Sequence, residues 1–378
     1  KFPEIHIFFR LLIVMAILSA CTENRDNKQE NSGGTLSEYS PEIATGFRIE
    51  DFDGYRVLYI SDPWNENAAG EKFYLVNDTA GGYDFLDGQV LEIPVTRMVC
   101  LSATHLSFLD ALDAIDRLVG VSSADYVVSD EFRHLHEEGR IREIGIGDHF
   151  KLEELIRLSP QMMMVSPQEG QGFELLRQAG FTIVPNGDYL EPHPLGRAEW
   201  IKMVGVLTAK EQEAAQIFDS IKTSYNRLKG LSENVSYRPT VLSGKQYGGF
   251  WALPGGNSYL ARFIADAGAR YLWAENSDRG SLTMDFEAVY HKGIQADFWR
   301  FVVFSDEPFT YSILLAEDAR YADFEAVKNK KVLVCNTRKT PYFQKGLLEP
   351  QVILADYISI FHPDLLPDHQ PTYYRLLP

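Results

Sequence analysis

The sequence predicts an α/β fold in which two Rossmann-like lobes are joined by a single long α-helix and preceded by a small N-terminal β extension. Strand-like and helix-like segments alternate over residues 96–192 and again over residues 233–378. Such alternation is typical of a parallel sheet covered by helices. A long amphipathic stretch within residues 193–232 separates the two halves, and residues 46–95 hold only short alternating runs. We therefore expect an extension, two lobes and linking helices with these boundaries.

The linking stretch has the clearest helical period. After Ala209 its apolar residues are spaced four and three apart, so they share one face of a helix. We expect Thr208 as the N-cap, Glu211 as its capping-box partner and Gly230 as the end. About 21 helical residues span roughly 30 Å, which is the width of a small domain, so this helix is long enough to join two lobes. The alternative is a surface helix inside one large domain. The apolar residues of this face are Ala214, Phe218, Ile221, Tyr225 and Leu228.

The extension contains three runs, FRIEDF, YRVLYI and EKFYLV, in which apolar and polar residues alternate. Asp-Pro, Asn-Glu-Asn and Gly-Gly segments lie between the runs. This pattern predicts a small antiparallel hairpin or meander. The sequence indicates no function for it.

Residues 1–20 have the pattern of a secretory signal. Lys1 and Arg10 flank its start, and the apolar run at 11–18 is too short to span a bilayer. Leu-Ser-Ala before Cys21 resembles the bacterial lipobox, which implies cleavage before that cysteine and its acylation, with an ordinary signal peptide as the alternative. Residues 21–45 are polar and predict a disordered tether. We therefore expect a periplasmic protein that is lipid-anchored to the cell membrane of a bacterium.

The composition argues against several kinds of partner. A formal net charge of −17 disfavours nucleic acid, and it equally disfavours adsorption to anionic lipid by charge alone. The pair His134 and His136 lies in a polar segment, which is more typical of a solvated helix face than of a metal site. Cys100 and Cys335 lie in apolar runs and are expected to be buried free thiols. We expect no metal site, no cofactor and no nucleic-acid partner.

Two short segments correspond across the linking helix. KLEELIRLSPQMMMV and MDFEAVYHKGIQADFWRFVVF each place an apolar residue before a glutamate, then a short helix and a strand. Glu153 and Glu287 therefore lie in the first helical turn of each lobe, where the helix dipole favours a carboxylate. The core of the first lobe is expected to be contacted by Leu152, Leu155 and Ile156. The core of the second lobe is expected to be contacted by Phe286 and Val289. This leaves both glutamates exposed as a matched pair.

From about Thr96 to the C-terminus, the chain resembles the periplasmic binding proteins that deliver cobalamin, ferric siderophores or haem to ABC importers. The LEELIRLSP segment with Glu153 and the DFEAVY segment with Glu287 carry the resemblance. It is also carried by PLGRAEWIK before the long helix, by YGGFWALPGGNSYLARFIADAGA and by LADYISIFHPDLLPDH. The resemblance implies a monomer that binds its solute between the lobes. It also implies that Glu153 and Glu287 pair with arginines on the two permease subunits.

Ligands of open α/β folds gather at the carboxyl ends of the strands. The loops expected there are rich in aromatic residues, which stack on large flat chelates, and in polar groups that orient such ligands. We therefore expect an iron chelate, haem or corrinoid as the ligand. The candidate ligand-binding residues are Ser102, Tyr126, Phe150, Gln168, Tyr247, Trp251, Arg279, Tyr342 and Phe343.

An enzyme is the main alternative to a binding protein. The sequence has no Gly-x-Ser-x-Gly elbow and no phosphate-binding loop, and Gly244 to Gly249 lacks the Lys-Ser/Thr ending of such a loop. We therefore predict no catalytic residues. A secreted two-lobed enzyme that acts on a tetrapyrrole, such as a chelatase, and a surface scavenging protein without a permease remain as alternatives.

Overall fold

The computed structural model describes residues 37–39, 41–65, 69–79, 87–125, 127, 129–145, 149–169 and 173–378. The predicted signal, the predicted acylation site Cys21, most of the predicted tether and the ligand candidate Tyr126 lie outside these ranges. Among the helices within them, none is both long and apolar enough to cross a bilayer.

Five strands form the N-terminal sheet, where the sequence predicted a small hairpin or meander. They are β1 (Ser37–Tyr39), β2 (Phe47–Phe52), β3 (Tyr55–Ile60), β4 (Glu71–Val76) and β5 (Gln89–Glu92). Strands β1 to β4 pair antiparallel in sequence order, as predicted for a meander, and β5 pairs parallel to β4. Ile49, Leu58 and Phe73 are fully buried and belong to the same core as the lobes. The sheet is therefore part of the folded body.

The amino-terminal lobe contains the predicted parallel sheet. Its elements in chain order are β6 (Met98–Cys100), α1 (Ala103–Ala111), β7 (Leu118–Val121), α2 (Asp130–Glu137), β8 (Arg142–Glu143), α3 (Leu152–Leu158), β9 (Met162–Val165), α4 (Glu174–Gln178) and β10 (Ile183–Pro185). The strand order is β10-β9-β6-β7-β8, and all neighbours are parallel. The methionines of β9 are buried, as expected for a central strand.

The carboxy-terminal lobe follows the linking helices. Its elements in chain order are β11 (Thr240–Ser243), β12 (Lys245–Tyr247), β13 (Phe250–Pro254), α7 (Tyr259–Asp266), β14 (Arg270–Tyr271), β15 (Ser281–Met284), α8 (Phe286–Gly293), β16 (Phe298–Val303), α9 (Tyr311–Glu317), α10 (Glu325–Lys328), β17 (Val332–Asn336), α11 (Tyr342–Lys345), α12 (Pro350–Phe361) and β18 (Arg375–Leu376). A second parallel sheet has the order β14-β11-β16-β17 and is extended by antiparallel β18. A further antiparallel sheet, β12-β13-β15, was not predicted.

Two consecutive helices, α5 (Pro194–Thr208) and α6 (Glu211–Ser232), connect the lobes. All five apolar residues predicted for one face of α6 are buried, which confirms the helical period. The predicted N-cap is wrong because Thr208 belongs to α5, where its hydroxyl donates to the carbonyl of Val204 at 2.7 Å. Ala209 takes a left-handed conformation with φ of 54° and separates the two helices. The predicted end at Gly230 is also early, since α6 continues to Ser232.

The buried carboxylate of Glu191 ties the chain that enters the N-terminal sheet to the lobe. It accepts hydrogen bonds from the amides of Thr45 and Gly46, each at 2.9 Å, and from Nε1 of Trp200 at 2.9 Å. Burial raises the pKa of Glu191 despite these donors. Gly46 is required by the close approach, since a Cβ there would lie 2.5 Å from the Trp200 ring.

A second buried carboxylate, Glu199 on α5, binds the residues that directly precede Thr45. It accepts from three successive backbone amides, those of Glu42, Ile43 and Ala44, at 2.7–2.8 Å. Nζ of Lys202, one turn later on α5, lies 2.8 Å from the same carboxylate. The five consecutive backbone amides of residues 42–46 therefore donate to two side chains, Glu199 and Glu191. These hydrogen bonds hold the N-terminal sheet against α5.

Candidate functional site

A buried ion pair lies at the boundary between the lobes. Asp188 follows β10 in a short 3-10 helix, and its Oδ1 is 2.7 Å from Nη2 of Arg197 in the first turns of α5. Their side chains are only 1% and 12% exposed. The Arg197 guanidinium also lies 4.0 Å from the ring centre of Tyr259, which belongs to the carboxy-terminal lobe. Burial lowers the pKa of Arg197, but Tyr259 and Asp188 outweigh it and the net shift is upward, so the cation persists at this boundary.

Helix α1 lies directly beside this pair. Thr104 donates to Asp188 at 3.3 Å, and Ser102 caps the helix by accepting from the Thr104 amide at 3.3 Å. Helix α11 of the opposite lobe packs against α1, which brings the carboxyl ends of the two parallel sheets together. The two lobes therefore meet along α1 and α11 on one side and along Arg197 and Tyr259 on the other.

His105 is fully buried beneath this boundary. Its Nε2 lies 3.3 Å from Oγ of Ser166, which follows β9, and Nδ1 has no hydrogen-bond partner among the described residues. Burial lowers the pKa of His105 to about 4, and the opposing effect of Asp188 is weaker. The ring is therefore neutral at physiological pH.

This burial predicts that the protein loses stability in mild acid. Between pH 6.5 and 4 the unfolded chain binds a proton at His105 and the folded chain does not, so the free energy of unfolding falls as pH decreases through this window. Each pH unit costs about 1.4 kcal/mol for one such group. Denaturant unfolding at pH 7 and pH 5 should show this loss, and His105→Gln should reduce it. His134→Gln, whose side chain is 72% exposed, is the matched control and should leave the loss unchanged. An equal loss in His105→Gln and the wild type would contradict the assignment.

Three residues predicted to bind ligand in the amino-terminal lobe have different surroundings. Ser102 is half-buried at the carboxyl end of β6, and its oxygen is engaged in capping α1. Phe150 precedes α3 and packs against the smaller of the two hydrophobic cores. Gln168 is exposed after β9 and, with Arg279 of the opposite lobe, lines a cavity of about 780 Å³ beside the N-terminal sheet. We refer to this space as the sheet–lobe cavity.

The aromatic candidates of the carboxy-terminal lobe divide by exposure. Trp251 is fully buried among Trp299, Tyr321 and Phe324, so its ring is part of the lobe core and cannot contact a ligand. Tyr342 is also buried, with its ring against Tyr373 and Tyr374. Tyr247 and Phe343 are 58% and 51% exposed. Only these last two present a ring to solvent.

The exposed ring of Phe304 and the buried Asp188–Arg197 ion pair were not predicted from the sequence. Phe304 follows β16 directly and is 58% exposed. Tyr247 ends β12, four residues after β11, and Phe343 lies in α11, after β17. Strands β11, β16 and β17 are parallel neighbours, and we call Tyr247, Phe304 and Phe343 the aromatic edge. A buried strand that ends on an aromatic residue could have indicated Phe304. Nothing in the local sequence distinguishes Asp188 and Arg197 from surface charges.

Both glutamates of the matched pair are exposed in the first turn of a helix, Glu153 in α3 and Glu287 in α8. Arg320 Nη1 is 3.6 Å from Glu287, whose side chain remains 79% exposed. The environment of α3 differs from the prediction, because Leu155 is buried but Leu152 and Ile156 are 43% and 61% exposed. The helix is only two turns long and its Leu155 face alone reaches the core. Phe286 and Val289 are buried as predicted.

Relatives and solved structures with the same architecture come from several organisms. Two uncharacterized lipoproteins of Methanocaldococcus jannaschii are each 26% identical, and the alignments cover 93% and 82% of this chain and 91% and 81% of theirs. The haem complex of IsdE from Staphylococcus aureus superimposes with a TM-score of 0.57 at 15% identity, covering 71% of this chain and 99% of IsdE. The molybdate complex of MolA from Haemophilus influenzae gives 0.57 at 17% identity, covering 72% and 88%. At these identities the solved structures show the shared fold.

The family model for periplasmic binding proteins matches residues 98–338, which is well over half of the chain. The match begins at β6 and ends after β17, so it includes both parallel sheets and the two linking helices. The N-terminal sheet lies before it. The chain belongs to the periplasmic binding protein family, as a substrate-binding protein of the ABC importer type rather than an enzyme.

Proposed function

We propose that this protein is an extracytoplasmic lipoprotein that captures a flat metal chelate, namely an iron chelate, haem or corrinoid, and delivers it to an ABC permease. The aromatic edge carries this proposal. Tyr247, Phe304 and Phe343 come after β11, β16 and β17 in the chain, and each is more than half exposed. Exposed rings of this kind offer faces on which a large conjugated ligand stacks.

The boundary between the lobes also supports a ligand held there. Ser102 and Asp188 follow the amino-terminal strands β6 and β10, and open α/β folds bind their ligands at the carboxyl ends of such strands. Arg197 is held by Asp188 and covered by Tyr259, so its position is fixed before a solute arrives. A preordered wall of this kind reduces the entropy lost on binding.

Membrane attachment and delivery form the second part of the proposal. The relatives from Methanocaldococcus jannaschii are named lipoproteins, which supports acylation of Cys21. The exposed Glu153 and Glu287 support docking to the two permease subunits. A scavenging protein without a permease would share the binding site but would not need this pair.

Absorbance titration of the purified protein with hemin, cyanocobalamin and a ferric catecholate tests the proposed solute class. One of these probes should bind at a one-to-one ratio. Replacing Phe304 and Phe343 together by alanine should weaken that probe about tenfold, because stacking adds about 0.5–1.5 kcal/mol for each ring. Tyr237→Ala is the matched control, since Tyr237 is 60% exposed but precedes β11 at the other edge of the sheet. Binding of none of the three probes, or equal affinity in the double variant, would contradict the proposal.

A further inference from the structure

We propose that Arg300, in the core of the carboxy-terminal lobe, binds a small inorganic anion of the size of chloride. Arg300 lies in β16, a central strand of the second parallel sheet, and it is only 5% exposed. Two residues earlier, on the same face of β16, Phe298 packs against Phe361 of α12. Arg300 belongs neither to the aromatic edge nor to the lining of the sheet–lobe cavity. This site therefore goes beyond the proposed solute-binding function.

The positive charge of Arg300 has no carboxylate partner. Among the described residues, no aspartate or glutamate forms an ion pair with its guanidinium, which keeps its charge at every physiological pH. Asp356 is the buried acid of helix α12, but its two oxygens accept from the backbone amides of residues 372–374. Because buried charges in proteins are normally paired, the partner expected for Arg300 is an anion from the solvent.

The side chains around the guanidinium carry hydroxyl groups and no negative charge. Nη1 of Arg300 donates to Oγ of Ser243 at 2.9 Å, and Nη2 donates to the hydroxyl of Tyr374. Burial raises the pKa of Tyr342, Tyr357 and Tyr374, so all three remain neutral phenols at physiological pH. The ring centre of Tyr374 lies 5.0 Å from the guanidinium and offsets only part of its charge. These groups solvate the cation without neutralising it.

Hydrogen-bond donors are in excess at this position. Nε of Arg300 is buried and has no hydrogen-bond partner among the described residues. The hydroxyl of Tyr357, which is fully buried beside the guanidinium, likewise has no partner of normal geometry there. The hydroxyls of Ser243 and Tyr374 accept from Arg300, so each retains a hydrogen that it can donate. A halide ion accepts from several donors and supplies one negative charge, whereas a water molecule would satisfy the donors alone.

Burial also limits the size of the anion. Ser243, Tyr357 and Tyr374 are all fully buried around the guanidinium. A monatomic ion needs the least room among such side chains, and it is therefore favoured over sulfate, phosphate or a carboxylate. Chloride is the halide that we assign to the site.

Urea unfolding of the full-length protein in sodium chloride and in sodium gluconate, at equal ionic strength, tests this assignment. Urea is the suitable denaturant because guanidinium chloride would itself supply the ion. Above the dissociation constant of chloride, each tenfold increase in its concentration should lower the unfolding equilibrium constant about tenfold, because the ion binds the folded chain alone. Gluconate is too large for the site and should give no such dependence.

Three variants connect the chloride dependence to this position. Tyr357→Phe removes one donor and keeps the ring, so it should weaken chloride binding about tenfold, which corresponds to about 1.4 kcal/mol. Arg300→Gln should abolish the dependence. Arg262→Gln is the matched control in the same lobe, because that guanidinium already pairs with Asp266 at 3.0 Å, and it should retain the full dependence.

Crystals of the wild-type protein grown in sodium bromide test the site even if Arg300→Gln does not fold. Their anomalous scattering should place one bromide ion within hydrogen-bond distance of Nε of Arg300. The absence of this ion would overturn the proposal. Equal chloride dependence in the wild type and in Tyr357→Phe would overturn it as well.

Discussion

Replacing both Glu153 and Glu287 by alanine should abolish uptake of the solute in cells while leaving its affinity for the purified protein unchanged. Both carboxylates are exposed in first helical turns, and neither lies among the residues of the aromatic edge or of the boundary between the lobes. Within the described residues Glu153 makes no ion pair, and Arg320 binds Asp318 at 2.7 Å more closely than it binds Glu287 at 3.6 Å. Both charges are therefore available to basic groups on a permease.

The expected loss is large because two charge pairs would be removed together from one interface. Truncating one partner of a hydrogen-bonded charge pair at an interface costs about 2–5 kcal/mol, so each single variant should lower uptake and the double variant should eliminate it. Uptake of the probe that binds best, measured in a strain that lacks the native copy, reports the effect. A direct titration of the purified double variant confirms that binding is retained.

The matched control is the double variant Glu131→Ala and Glu213→Ala. These residues are also exposed and also lie in first turns, those of α2 and α6, so both double variants change the formal net charge of −17 by the same amount. The control should transport normally. Normal transport by the Glu153 and Glu287 variant would show that docking does not use this pair and would favour a scavenging role.

The second large effect is expected at Glu199, where alanine should destabilise the fold by about 3–5 kcal/mol. The substitution leaves three backbone amides without their acceptor. Among the described residues, Glu42 at 3.4 Å is then the one carboxylate left to pair with the buried Lys202 ammonium. Removing one member of a buried charge pair costs far more than removing an exposed carboxylate, because the remaining charge stays out of water. Denaturant unfolding at pH 7 measures the change.

Glu213→Ala on the next helix is the control for this measurement, and it should shift stability by less than about 0.5 kcal/mol because its side chain is exposed. Glu199→Gln keeps the size and one acceptor oxygen, so it should fall between the two. If Glu199→Ala costs no more than the control, the carboxylate does not hold the N-terminal sheet against α5.

Regular periodicity explains which parts of the fold could be predicted from the sequence. The alternation of strand and helix segments predicted both parallel sheets. The spacing of apolar residues from Ala214 to Leu228 predicted the buried face of α6. The start of α6 was placed at Thr208, two residues too early, because Ala209 in a left-handed conformation has no side-chain signal, unlike glycine. Leu152 and Ile156 were assigned to the core because they are apolar. A two-turn helix at the surface, however, buries a single row of side chains.

The candidate site was harder to predict because exposure depends on tertiary packing. Tyr247 and Trp251 lie four residues apart in one hairpin, and yet one ring is more than half exposed while the other is fully buried. Arg197 and Asp188 are nine residues apart and meet only because α5 turns back toward β10. The role of the N-terminal sheet could not be inferred at all, since its contacts with Glu191 and Glu199 join residues about 150 positions apart.

The two thiols of the described chain, Cys100 and Cys335, are buried in separate sheets and form no disulfide. Burial raises their pKa values to about 12 and about 11, so almost no thiolate is available to react with oxidants or with glutathione. The described part of the chain thereby reaches its native state without a disulfide between these two cysteines. The described part of the chain should therefore fold equally well under anaerobic and aerobic growth.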